Sequence, residues 1–291
     1  MSMPLTMEGK VVLITGGNSG IGKAAAASLA KMGADLTLLC RNREKAEKAR
    51  AEIASSSGRS VDLIIADMLL QREVRRAASE FLSTRSRLDV LLNNAGSDFP
   101  SYEETEDGIE RTMALNYFSQ FLLTNLLIST LRKSAPSRVV NVSSSGHYGA
   151  SLDFENINGK GKMGPGGLGA YGRSKIALIL FTYELARRLQ GSSVTANCLH
   201  PGAVRTNIWS HAGLFSPLTR LAALFMLSPD EGAKTSVYLA SSPEVEGVTG
   251  KYFEKCKPKR SSEQSYDEVA AARLWELSER MTDLVSQPVT P

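Results

Sequence analysis

Cysteine is scarce in this chain: Cys40, Cys198 and Cys256 are three among 291 residues, an odd number with no CxxC spacing. That usage excludes a secreted disulfide framework and a structural zinc site, and fits a reducing compartment. Long apolar runs are missing too. Nothing approaches the roughly 18 uninterrupted apolar residues of a spanning helix, and the first residues lack the apolar centre of a secretory signal, so a soluble cytoplasmic protein is expected. Neither sign of charge dominates: 34 Lys and Arg against 30 Asp and Glu leave +4, too small a bias to imply a nucleic-acid partner. Histidine is limited to His147, His200 and His211, and no pair has metal-ligand spacing, so no metal site is expected. His147 follows a serine turn and is expected to border the substrate, while His200 caps a strand. What remains is a globular composition, 42% hydrophobic and 22% charged, in a chain long enough for one large α/β domain.

Short runs that are apolar at consecutive positions alternate with longer stretches of helical spacing. The runs are 10–15 (KVVLIT), 36–40 (LTLLC), 61–66 (VDLIIA), 88–92 (LDVLL), 138–142 (RVVNV) and 194–199 (VTANCL), with a short last one at 251–253. Consecutive apolar positions mark strands covered on both faces. Helical stretches at 20–32, 44–55, 73–82, 105–132 and 171–189 lie between them, and another opens at Pro229. The alternation predicts right-handed crossovers in a single α/β domain over 1–291: a doubly wound, parallel sheet of about seven strands flanked by helices on both faces. Two segments break the rhythm. Residues 146–169 are Gly-rich and read as a long loop, and 203–228, with Leu214, Phe215, Leu224 and Phe225, reads as an apolar substrate lid. Residues 263–285 read as a terminal helix with Ala270, Leu274, Leu277, Met281 and Leu284 on one stripe. That stripe is expected to pack on its own domain, with a partner or membrane surface as the alternative.

The first chemical signal follows the first strand directly. Thr15-Gly16-Gly17-Asn18-Ser19-Gly20-Ile21-Gly22 opens a helix. Gly16 allows a sharp turn, Gly20 the approach of backbone to a pyrophosphate, and Gly22 close packing of helix on strand, the Rossmann-type arrangement. The helix amino terminus adds unpaired N–H groups and the positive end of its dipole. The end of the second strand sets nucleotide preference, because an acid there accepts from a ribose 2′-hydroxyl whereas Arg takes a 2′-phosphate. Cys40-Arg41-Asn42-Arg43 contains no acid. NADP(H) is therefore expected on Arg41, helped by Arg43 or Lys23, with NAD(H) as the alternative. Further on, Tyr171 and Lys175 stand one helical turn apart on one face, where an ammonium favours the phenolate.

The GxxxGxG turn, Asn93-Asn94-Ala95-Gly96 after the fourth strand, Tyr171-Gly172-Arg173-Ser174-Lys175 and Pro201-Gly202 after the sixth occur in order between Thr15 and Thr206. Together they resemble the short-chain dehydrogenase/reductase family. The resemblance implies Tyr171 as general acid/base and Lys175 as a further ligand of the nicotinamide ribose. It implies that Ser144, with Ser143 as alternative, polarises the substrate carbonyl. It also implies that Asn116 holds a water relaying protons from Lys175, the alternative being a stabiliser of a helix kink. Asp67 would accept from the adenine amine or else cap a helix. Asn93, Ala95 and Gly96 would lie beside the adenine ribose, in a turn as much structural as functional. Pro201, Gly202, Val204 and Thr206 would flank the carboxamide side of the nicotinamide.

Ser144 and Tyr171 are 27 positions apart, about twice the family's usual separation. With the run YGRSKIALILFTYELARRL this resembles the retinol-dehydrogenase-like branch. The branch implies hydride transfer between NADP(H) and a small hydrophobic aldehyde, ketone or alcohol of retinoid, steroid or lipid type. Two features depart from it. The membrane anchor usual in the branch's vertebrate members is not expected here, and Tyr117-Phe118-Ser119 stands where the branch more often has histidine and glycine. A homo-dimer or tetramer through helices 105–132 and 171–189, and a peripheral membrane contact through the lid, complete the expectations. A nucleotide-binding regulator on the same fold is the alternative, and the complete set of Asn116, Ser144, Tyr171 and Lys175 speaks against it.

Overall fold

Runs without polar alternation become strands here because they have no solvent side. β1 (Val11–Thr15) and β4 (Val90–Asn93) are buried at every position. With β2 (Asp35–Cys40), β3 (Val61–Ile65), β5 (Ser137–Val142), β6 (Val194–His200) and β7 (Tyr252–Glu254) they pair in parallel, in the order β3-β2-β1-β4-β5-β6-β7. The computed structural model describes residues 6–204 and 227–284, so Thr206 and nearly all of the expected lid lie outside the described residues. An eighth strand, β8 (Lys257–Pro258), returns antiparallel along β7. It went unanticipated because it has no apolar pattern. Its two-residue turn, Lys255 and Cys256 at φ 51° and 59°, also lacks the Asn-Gly chemistry that usually marks such hairpins.

Helices cover both faces. α1 (Gly20–Lys31) and α2 (Arg43–Ser57) lie on one face, and α3 (Gln71–Thr84) on the other. The helix expected over 105–132 starts later, at α4 (Arg111–Met113), because the buried Glu110 carboxylate accepts the N–H groups of Thr112 and Met113 and so sets its first turn. It then passes through a π-helical stretch, Ala114–Phe118, into α5 (Ser119–Lys133). α6 (Leu168–Arg188) begins earlier than the apolar run implied, and α7 (Pro229–Ser241) opens at its proline. The order of strands reverses between β1 and β4, leaving a crevice at their carboxyl ends.

The terminal helix α8 (Glu268–Met281) packs on its own domain, against α5 and α6. Of the expected stripe, Leu274 is buried and Leu277, Met281 and Leu284 pack partly buried against the core, while Ala271, Trp275 and Ser278 are buried beside them and Ala270 is left out, the indole offering far more apolar surface than a methyl group. Trp275 lies edge-on to Phe121 at 5.1 Å and 5.7 Å from Phe181, with the Arg188 guanidinium 4.3 Å above its ring. The Tyr117 and Ser278 hydroxyls meet at 2.6 Å, and Gln71 Nε2 donates to the Met281 carbonyl at 2.8 Å. The chain's own helix thus covers part of the flank, chiefly on α6, that sequence reasoning offered to a second subunit. Among the described residues no helix is long and apolar enough to cross a membrane, and no His, Cys, Asp or Glu cluster could hold a metal ion.

Candidate active site

A cleft of about 700 Å³ opens at the carboxyl ends of the central strands and runs from Arg41 and Asp67, past the start of α1, to Tyr171, Lys175 and Pro201. Gly16 sits at φ +67° with Ala95 Cα only 3.1 Å from where a Cβ would be. At Gly22 a Cβ would lie 2.4 Å from the Gly16 carbonyl, so α1 can approach the turn only with glycine there. Thr15 Oγ1 accepts the N–H groups of Asn94 and Ala95 at 2.9 Å each, locking the ends of β1 and β4 together. Ser19 caps α1 without a side-chain bond and the first turn contains no acid. Its N–H groups therefore face the cleft uncapped, lined by Asn18, Ser19, Gly20, Ile21 and Gly22. This glycine cradle at an open helix terminus fits the pyrophosphate of a dinucleotide.

At one end, Arg41 and Asp67 line the cleft with Asn42, Lys45 and Met68. Arg41, well exposed, lies 3.9 Å from the half-buried Asp67 carboxylate, so the pair holds Arg41 only loosely. Asp67 accepts the Leu69 N–H at 3.0 Å, while Leu70 takes the N-cap position of α3. Lys23, expected as a helper, is instead paired with Glu52 on α2. Lys45 was missed because its position on a charged helix reads as solvated surface. Asn93 does not line the cleft. Its amide, fully buried, donates to Thr124 Oγ1 and Asn141 Oδ1 at 2.9 Å each, and Asn141 donates in turn to Thr182, a polar seam joining β4 and β5 to α5 and α6. Asn94, Ala95 and Gly96 line the cleft in its place.

The other end brings Tyr171, Lys175 and the serine turn together. Lys175 is buried, its Nζ donating to the Val142 carbonyl at 3.0 Å and lying 5.3 Å from the centre of the Tyr171 ring. Burial pushes its pKa down to about 8. The expected lowering of the phenol's pKa is reversed: loss of solvent raises it, the Ser144 hydroxyl pulls the other way, and the charge of Asp98 adds to the rise. Tyr171 is therefore a protonated phenol at neutral pH. Ser143 is spent structurally, its Oγ donating to the Lys175 carbonyl at 3.0 Å. Ser144 is the serine beside the phenol. Its Oγ accepts the Gly146 N–H at 3.1 Å, and a Cβ at Gly146 would come within 3.3 Å of the Tyr171 ring.

Asn116 lies fully buried in the π-helical stretch. Its amide oxygen accepts the Ser97 N–H at 2.8 Å, and its nitrogen donates to the Ser97 carbonyl and to Ser174 Oγ at 2.8 and 2.9 Å. The side chain ties the π-helical stretch to the segment after β4 and to α6, and reaches the neighbourhood of Lys175 across Gly96. His147 does not border a substrate. It is buried, with Nε2 accepting the Ser262 N–H and Nδ1 donating to the Ser144 carbonyl at 2.6 Å. His200 Nδ1 accepts the Ser145 N–H at 3.2 Å. Two imidazoles kept neutral by burial thus fix the serine turn, a role that only the tertiary structure reveals. Pro201 lines the cleft, Gly202 at φ +90° packs on Leu227, and Val204 is buried against Gly232 and Ile21.

The depressed Lys175 pKa has a measurable consequence. Its charged form is the one that can bind ribose hydroxyls and favour phenolate, and that form is lost as pH rises through about 8. The kcat/KM for the nicotinamide nucleotide, which reports the free enzyme, is expected to fall about tenfold per pH unit above that point. A flat profile from pH 7 to 10 would contradict the assignment.

The fold and this cleft define a dinucleotide-binding α/β protein with a tyrosine–lysine pair at its switch point. Residues 10–214 match the short chain dehydrogenase family. Mouse retinol dehydrogenase 14 is 45% identical over 97% of this chain and 88% of its own length, and human retinol dehydrogenase 13 is 40% identical over 98% and 88%. An uncharacterized protein from Mycobacterium paratuberculosis superimposes with a TM-score of 0.78 at 32% identity, covering 96% of both chains. A short chain dehydrogenase from Shigella flexneri, solved in complex with NADP, gives 0.68 at 27% identity over 84% and 96%. The chain belongs to the short-chain dehydrogenase family, in its retinol-dehydrogenase-like branch. It is an oxidoreductase of alcohols and carbonyl compounds that uses a nicotinamide cofactor.

Proposed function

We propose that the protein interconverts a hydrophobic aldehyde or ketone and its alcohol with NADP(H), with Tyr171 exchanging the proton. The observation that carries this is the convergence of Tyr171 and Lys175 at the end of the cleft opposite Arg41, with the Ser144 hydroxyl hydrogen-bonded to the phenol. A bound nicotinamide would supply or accept the hydride. The chain's own groups do the rest. The Ser144 hydroxyl hydrogen-bonds a substrate carbonyl oxygen in this reading, and the protonated Tyr171 phenol delivers a proton to the developing alkoxide. A phenol held protonated suits the reductive direction. Lys175, charged below about pH 8, orients the ribose and offsets negative charge on the phenol oxygen.

The preference for the 2′-phosphate rests on Arg41, directly after β2, and Lys45, in the first turn of α2, both lining the cleft, with no acid in Cys40-Arg41-Asn42-Arg43 and with Asp67 3.9 Å from Arg41 as its counter-charge. The apolar substrate class is supported by relatives named retinol dehydrogenases at 40–45% identity over nearly the whole chain. A panel of aldehydes and ketones of rising chain length, followed at the NADPH absorbance band, tests the reading. Rates are expected to rise with apolar length and to reach retinaldehyde, and inertness of the whole panel would refute it. Arg41→Ala is expected to raise the KM for NADPH roughly tenfold to a hundredfold, the cost of a charge-assisted contact, while leaving NADH unchanged. Equal weakening of both nucleotides would remove the phosphate role.

A further inference from the structure

The β7–β8 hairpin concentrates the chain's charge. Residues 251–260 hold Lys251, Lys255, Lys257, Lys259 and Arg260 against Glu254 alone, a net +4 that equals the net charge of the entire chain. All five cations are exposed. Lys259 is paired with Glu254 and Arg260 with Glu263. Among the described residues Lys255 and Lys257 have no ion-pair partner, and residues 205–226 contribute no Asp or Glu to neutralise them. Two tyrosines are interleaved with these cations. Tyr148, 43% exposed, donates its hydroxyl to the Arg260 carbonyl at 2.8 Å, and Lys259 Nζ lies 5.9 Å from the centre of its ring. Tyr266, 45% exposed, takes the Ser261 N–H on its hydroxyl, with the Arg260 guanidinium 5.8 Å from its ring.

This surface adjoins the active site. Glu254 pairs with His200 in the sheet, so the Lys255–Cys256 turn leaves β7 at the same carboxyl edge as the serine turn. Tyr148 stacks on His147 at 4.0 Å, and His147 holds the Ser144 carbonyl. Cations alternating with half-exposed tyrosines beside a cleft mouth match the chemistry of a phospholipid headgroup layer: lysines for anionic lipid, phenol rings for the boundary between headgroup and acyl chain. We propose that the hairpin, through Lys255, Lys257, Lys259, Arg260, Tyr148 and Tyr266, docks the protein on an anionic lipid bilayer with the cleft mouth facing it. Resting on the apolar-substrate reading above, the arrangement lets substrate pass from bilayer to cleft without crossing bulk water.

The test uses the full chain with sucrose-loaded vesicles of phosphatidylcholine, alone or mixed with phosphatidylserine, and reads the pelleted fraction. The protein is expected to pellet with the anionic vesicles at low salt and to be released as salt screens the contact. Lys255→Gln, Lys257→Gln and Arg260→Gln combined are expected to weaken partitioning on the order of a hundredfold, about fivefold per cation. Circular dichroism and turnover of a short water-soluble aldehyde should stay at the parent level. Indifference of the parent to anionic vesicles, equal pelleting with phosphatidylcholine alone, or undiminished pelleting of the triple variant each overturns the proposal. So does a parent that stays in the supernatant while the variant self-associates, which would make the lysines guards of a sheet edge. Pelleting is read without substrate, so vesicle binding by a chain inert toward every carbonyl would refute the substrate reading and leave the docking surface standing.

Discussion

Tyr171→Phe is expected to lower kcat on the order of a thousandfold, the scale of a lost general acid, while nucleotide affinity and melting temperature stay near those of the parent. The ring is what packs against Gly146 and lies near Lys175, and phenylalanine keeps it. Only the hydroxyl beside Ser144 disappears, and with it the proton for the alkoxide. Single-turnover kinetics with prebound NADPH separate the two steps, because binding is monitored by nucleotide fluorescence and chemistry by absorbance. Substantial residual turnover would remove Tyr171 from proton transfer. Loss of nucleotide affinity together with rate would give the phenol a binding role instead.

Trp275→Ala is expected to cost about 3–5 kcal/mol of stability, the range for emptying a buried aromatic site. The indole fills the space between Phe121, Phe181 and Arg188, and its Nε1 donates to Glu279 at 2.9 Å. Two other contacts, Tyr117 with Ser278 and Gln71 with Met281, hold the same helix to the body, so α8 is anchored at several points. Urea titration followed by circular dichroism should show a lower midpoint with an unchanged slope. A shift below 1 kcal/mol would mean that α8 contributes little to the packed core.

Much of this was legible in the sequence, and what was not has identifiable causes. Seven strands were readable because both-face burial leaves an uninterrupted apolar record, and the phosphate turn because only glycine meets its contacts. β8 left no such record, since two exposed residues paired at an edge need neither apolarity nor special turn residues. The π-helical stretch at Asn116 was invisible because the partners of its central side chain, Ser97 and Ser174, are distant in sequence. Asn93 read as a cleft residue because it neighbours Asn94, yet successive residues at a strand end face opposite ways, and only one reaches the crevice. The direction of the Tyr171 pKa shift failed for a related reason. A four-residue spacing reports that an ammonium is near, but not that burial outweighs it, nor that Nζ bonds the Val142 carbonyl.

The position of α8 bears on how this catalyst behaves when dilute. Two long helices present an apolar flank that must be covered, and the covering segment is covalently attached, so its local concentration never falls. That part of the flank should then stay packed at nanomolar as at micromolar protein, because the segment lying on it belongs to the same chain.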